Sequence, residues 1–161
     1  MEALMEVPTT GGIVLIDERK PDLSYRLLQE RAHGGRGVLC ITREPPARVA
    51  RRHPMDGASH YWLITGDGER SVDPFRLDAM TTLVEGFLAS HPGGTILIDG
   101  VELLMVMNSY AAVRDFLAGL HDQLQKHRAD CVVPIDTRTL TVPELKELRA
   151  VFPMMRGDGL A

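Results

Sequence analysis

Two glycine-rich signatures are missing from this chain, and both absences narrow its chemistry. The phosphate loop G-x-x-x-x-G-K-[ST] occurs nowhere, and neither does the dinucleotide pattern G-x-G-x-x-G. Cysteine is nearly absent too. Cys40 and Cys131 are the only two and both lie in apolar runs, the placement of buried, reduced thiols in a cytosolic protein rather than of a disulfide framework. A bond between them would require neighbouring strands. No apolar run approaches the ~20 residues of a membrane helix. The opening "MEALMEVPTT" carries two glutamates and no basic stretch, so it does not read as a secretory signal. The formal charge of -4 disfavours a dedicated nucleic-acid binder.

What is present describes an ordinary globular chain. Its 161 residues, 44% hydrophobic and 25% charged, fit one domain with one core. "GIVLID", "GVLCIT", "HYWLIT", "TILIDG" and "CVVPID" are short, β-branched apolar runs, the pattern of strands covered on both faces. Helical segments alternate with them. One follows the first strand, with Asp22 as the expected cap. Asp73–His91 has Asp73 and Pro74 as cap and first turn, and Met80, Leu83, Val84, Phe87 and Leu88 on one stripe. Ser109 to about Arg128 follows, and then a helix announced by Thr141, Pro143 and Glu144. Pro134 inside the fifth run predicts an edge position or a bulge. Residues 43–59, broken by Pro45, Pro46 and Pro54, read as mostly loop with one helical turn or two. The resulting expectation is a three-layer α/β domain over 11–152, with a mostly parallel sheet of five or six strands and helices on both faces, a flexible 1–10 and a frayed 153–161.

In such sheets ligands sit beyond the carboxyl ends of the strands. This chain puts carboxylates there repeatedly: Asp17 and Glu18, Glu44, Asp99 with Glu102, and Asp136. Together they could hold Mg²⁺, although acids also belong at solvent-facing strand ends. The first strand–helix corner reads "DERKPDLSYR". Lys20 could touch a phosphate and Ser24 a metal, but no glycine opens the backbone, Pro21 removes a donor, and Asp17, Glu18 and Asp22 repel anions. The corner therefore reads as free of phosphate chemistry. Arg43, Arg48, Arg51, Arg52 and His53 form the one local basic cluster, a solvated face or a contact for an acidic partner. "VELLMVM", with Leu104, Met105 and Met107, is core or a protein-contact patch. A receiver-like phosphorylation switch ranks last, because "PIDTRTL" has arginine where a lysine is wanted.

The stretches "ITREPP", "YWLIT", "ILIDGVELLMVMNSY" and "VVPIDTRTLTVPELKEL" resemble the archaeal family of unknown function DUF835, from Gly12 to about Phe152. The order of elements also resembles RecA-like ATPases of the KaiC type, with "GGTILIDGVELLM" similar to a Walker B strand. That resemblance implies a RecA-like core without its phosphate loop, often found beside signalling domains. It would put Asp99 in the metal-binding aspartate position and Glu44 in the place of the catalytic glutamate. The expectation is a non-catalytic, cytoplasmic pseudo-ATPase that contacts a protein partner or a second copy of itself and needs no cofactor. The alternative is a divergent ATP- and Mg-dependent protein using Lys20, Ser24, Glu44 and Asp99.

Overall fold

The computed structural model describes residues 11–66 and 68–157; the flexible segment expected at 1–10 lies outside them. Strands β1 (Gly12–Asp17), β2 (Val38–Thr42), β3 (Ser59–Leu63), β4 (Ser71–Val72), β5 (Thr95–Asp99), β6 (Asp130–Ile135) and β7 (Met154–Arg156) form one sheet in the order β4-β3-β2-β5-β6-β1-β7, with every pairing parallel. The helices are α1 (Asp22–His33), α2 (Pro46–Arg52), α3 (Leu77–Ser90), α4 (Val101–Met107), α5 (Tyr110–Lys126) and α6 (Val142–Val151). The sheet thus has seven strands where the sequence pattern shows five, because β4 and β7 are too short to leave a periodicity. β7 also corrects the expectation of a tail fraying from residue 153: Leu15 N–H donates to Pro153 O at 2.9 Å and Met154–Arg156 pair with Leu15–Asp17.

Alternation along the strands sorts the core into two layers. Val14 and Ile16 of β1, Cys40 of β2 and Val132 of β6 pack beneath α1 and α2, with Leu27, Leu28 and Val49. Ile13, Leu15, Ile41, Ile96, Ile98 and Val133 pack on the other face beneath α3, α4, α5 and α6. Crossovers leaving β1 and β2 use the first face, and those leaving β5 and β6 use the second. The chain therefore changes face between β2 and β5 and again between β6 and β1, which opens two crevices on the carboxyl rim. No helix among the described residues is long and apolar enough to cross a membrane.

Two local expectations change. Pro134 lies in β6, between β5 and β1, not at an edge. Asp130 N–H points toward β5, donating to Gly94 O at 3.1 Å, so the same side recurs at 132 and 134; pairing with β5 stops at Val132, and the missing proline donor falls where no ladder remains. Asp73 does not cap α3. Its Oδ1 accepts the N–H of Phe75 at 2.9 Å in a local turn, and the helix starts at Leu77. The helical turns expected within residues 43–59 are residues 46–52, which form α2 with Pro46 in its first turn.

Two predicted helix starts hold. Ser109 Oγ accepts the N–H of Ala112 at 3.0 Å, and Thr141 and Glu144 form a reciprocal capping box.

Candidate functional site

The corner after β1 is filled from within. Asp22, the expected cap of α1, is its first helical residue and caps nothing with its side chain. Glu18 does that work from across the corner. Its Oε1 accepts Leu23 N–H at 3.0 Å, and its Oε2 accepts Ser24 N–H at 3.0 Å and Ser24 Oγ–H at 2.6 Å. A helix N-terminus offers unpaired N–H groups and the positive end of the helix dipole, the combination that binds phosphate elsewhere. Here a carboxylate of the chain itself occupies that place. Burial raises the Glu18 carboxyl above its ordinary range although Ser24 and the two backbone donors pull the other way. Ser24, a candidate metal-contacting hydroxyl, is fully buried and its O–H donates to Glu18. Lys20 is exposed on the wall of an open cleft of about 590 Å³, whose lining also includes Asp17, Asp22, Asp136, Arg138 and Arg156.

The second crevice, between β2 and β5, is closed by an ion pair. Asp99 is 3% exposed at the end of β5, and Arg43, just past β2, reaches its Oδ1 at 3.2 Å. The two backbones meet there as well, Arg43 N–H donating to Asp99 O at 3.1 Å. Gly100 permits this approach: its φ is 140°, and a Cβ would lie 2.7 Å from Arg43 Cγ. Trp62 Nε1–H fixes the other side of the turn on Arg43 O at 3.0 Å. Burial pushes the Asp99 carboxyl up and the guanidinium pulls it down, with burial the larger effect. Beneath lies Tyr25 of α1, 1% exposed, its ring stacked on His53 at 3.9 Å and its hydroxyl without a hydrogen bond among the described residues. Burial, then Asp99, hold that phenol well above its usual range.

The remaining rim acids also have internal partners. Asp17 Oδ1 accepts from Thr137, Glu102 Oε2 accepts the N–H of Asp136 at 2.8 Å, and Asp136 holds Arg138 through both oxygens. Arg138 pulls Asp136 down to about 2. Glu44, expected to orient a water, pairs with Arg48 at 3.6 Å and Arg52 at 3.1 Å. Two members of the basic cluster are thereby engaged, and Arg51 stays exposed on α2. Of the apolar candidates in α4, Leu104 is fully buried, which removes it from any contact surface. Met105 packs against the core, Met107 is half-buried, and the exposed residue is Val106. Among the described residues no group of three or more His, Cys, Asp or Glu is arranged to hold a metal.

Sequence reasoning missed the roles of Glu18 and Arg43. Glu18 lies five and six residues before the N–H groups it accepts, outside the three-residue spacing of capping motifs. Arg43 and Asp99 are 56 residues apart and meet only because β2 and β5 pair.

A family model described as a protein of unknown function, DUF835, matches residues 17–152. No curated protein matches the chain. The chain belongs to that family.

Proposed function

We propose that this member of DUF835 is a non-catalytic domain of RecA-like layout, a pseudo-ATPase that serves as a protein-interaction or regulatory module. The observation that carries the reading is the Glu18 carboxylate on the N-terminus of α1, where an ATPase of that layout would seat a phosphate. Support comes from the other half of the site. The acid at the end of β5, which a metal would need, is already neutralised by Arg43. A Mg-dependent hydrolase would require Ser24, Glu44 and Asp99 to be available, and each is engaged with a residue of the chain. The parallel sheet with β1 and β5 opening on one rim agrees with RecA-like ancestry, and a cytoplasmic role in archaeal signalling is the setting that the family resemblance implies.

Isothermal titration calorimetry with ATP and Mg²⁺ tests the proposal. The expected result is no saturable heat. Tight, Mg²⁺-dependent binding would overturn it, and with it the reading of Glu18 and Arg43 as internal substitutes.

A further inference from the structure

Away from the rim, the sheet ends in an edge that is only half covered. β4 pairs with β3 at Trp62 and Leu63 alone. Trp62 N–H points outward, donating to Arg70 O at 2.8 Å, so the backbone N–H and C=O of His60, two residues earlier, point outward as well. Among the described residues they meet no partner. Beside this open edge runs a groove between β3 and α3. Two cavities of 350 and 500 Å³ lie side by side along it, both lined by Tyr61 and Leu83, and the first also by Leu39, Phe87 and Gly86, whose missing side chain leaves a notch in the helix. The far end carries Glu69, Asp73 and Arg76; Arg76 is already held by two hydrogen bonds to Asp78, and Arg70 lies over the Tyr61 ring at 5.7 Å, so Glu69 and Asp73 together outweigh the one cation left there.

We propose that this edge and groove accept an extended peptide from a partner protein, which pairs its backbone with His60, sets alternate apolar side chains along α3, and places a basic residue near Glu69. An unpaired strand edge asks for another extended backbone, and a groove beside it selects every second side chain. A second copy of this chain is the poorer occupant. A symmetric antiparallel pairing centred on His60 would bring the partner's β3 against Trp62 and Leu63, where β4 already sits. A free peptide can end its pairing at His60 and turn over Tyr61 into the groove before it reaches β4, a bend that a β3 strand held in a second copy's sheet cannot make. The inference rests on the interaction-module reading and names where the interaction takes place.

The test uses the full chain and a displayed library of random heptapeptides, with enriched peptides synthesised, labelled and titrated by fluorescence polarisation. Gly86→Phe is the informative variant. Gly86 is exposed, a Cβ there meets nothing within 4 Å, and replacing a mid-helix glycine favours the helix, so the variant folds while its ring fills the notch. Expected are enriched peptides with alternating apolar residues and a basic end, slowed amide exchange at His60 in the complex, and binding weakened roughly tenfold or more in Gly86→Phe. No enrichment, or peptides that bind wild type and Gly86→Phe alike, would overturn the proposal. So would a dimer in analytical ultracentrifugation that Gly86→Phe abolishes, which would assign the edge to a second copy. Calorimetry with ATP probes the rim rather than this edge, so the pseudo-ATPase reading and the peptide groove can fail independently of each other.

Discussion

Glu18 and Ser24 share a 2.6 Å hydrogen bond that ties the loop after β1 to the first turn of α1. The same carboxylate takes the N–H groups of Leu23 and Ser24, so one side chain meets three donors. Glu18→Ala should lower stability by about 1–2 kcal/mol, in the range of a lost helix cap, read as a shift of the urea midpoint at unchanged slope. Glu18→Gln keeps the shape but turns one oxygen into an amide donor facing donors, so its cost should be comparable rather than nil. A midpoint unmoved in both variants would mean that the carboxylate does not hold this corner.

Asp99 and Arg43 give a prediction of opposite sign for the two partners. Arg43→Met leaves a buried carboxylate without its cation and should cost on the order of 2–3 kcal/mol, below the range for a fully enclosed pair because Arg43 is half exposed. Asp99→Asn removes the charge that burial penalises and leaves an arginine that water can reach, so it should be neutral or stabilising at pH 7. The folded-state carboxyl of Asp99 lies above its ordinary 3.8, so the native state holds the proton more tightly and its stability falls as pH rises from 3.8 through the raised value. The advantage of Asp99→Asn over wild type should therefore vanish below that window and appear above it, which thermal melts from pH 3 to 8 would follow.

Cys40 and Cys131 should be inert in the folded protein. Both are fully buried, on opposite faces of the sheet and on strands separated by β5, which excludes a bond between them. Burial pushes the Cys40 thiol up to about 12 and Cys131 higher still. A thiol reagent at pH 8 should label neither in native protein and both in denaturant, with the native rate following unfolding. Fast labelling of either would show an opening of the core short of unfolding.

His121 should matter to β1 as much as any core side chain. Its Nδ1 accepts the N–H of Ile13 at 3.0 Å across 108 residues of sequence, and its ring packs edge-on against Phe152. β7 reaches β1 only from Leu15 onward, so His121 satisfies a donor that the edge strand leaves behind. His121→Ala should cost about 1–3 kcal/mol for the stranded donor, with faster amide exchange at Ile13 than at Leu15. Equal protection at both amides would show that water or the backbone replaces the imidazole.

His60 supplies a check from the acid side. Burial, then Arg70, hold its imidazole below 6.5, so the unfolded chain takes up a proton that the folded one refuses, and stability should fall as pH drops below 6.5. His60→Gln should flatten that part of the profile. An unchanged slope would place the effect on another group.

The repeated strand–helix unit, the parallel sheet, the two buried thiols and the missing phosphate loop were all legible in the chain before it was folded. Each of these is written in contiguous residues: apolar runs like "TILID", stripes like Val113, Leu117, Leu120 and Leu124, and a corner without glycine. How that corner is used emerges only on folding. Glu18 turns back onto α1, Arg43 crosses from β2 to Asp99, β4 and β7 join the sheet with two and three residues, and Leu104 disappears into the core. Periodicity reports which face of an element is buried, because burial repeats with the turn of a helix or the pleat of a strand. It carries no information on which charge meets which across the sheet, since that is set by strand order, and strand order brings together residues that sequence spacing keeps apart.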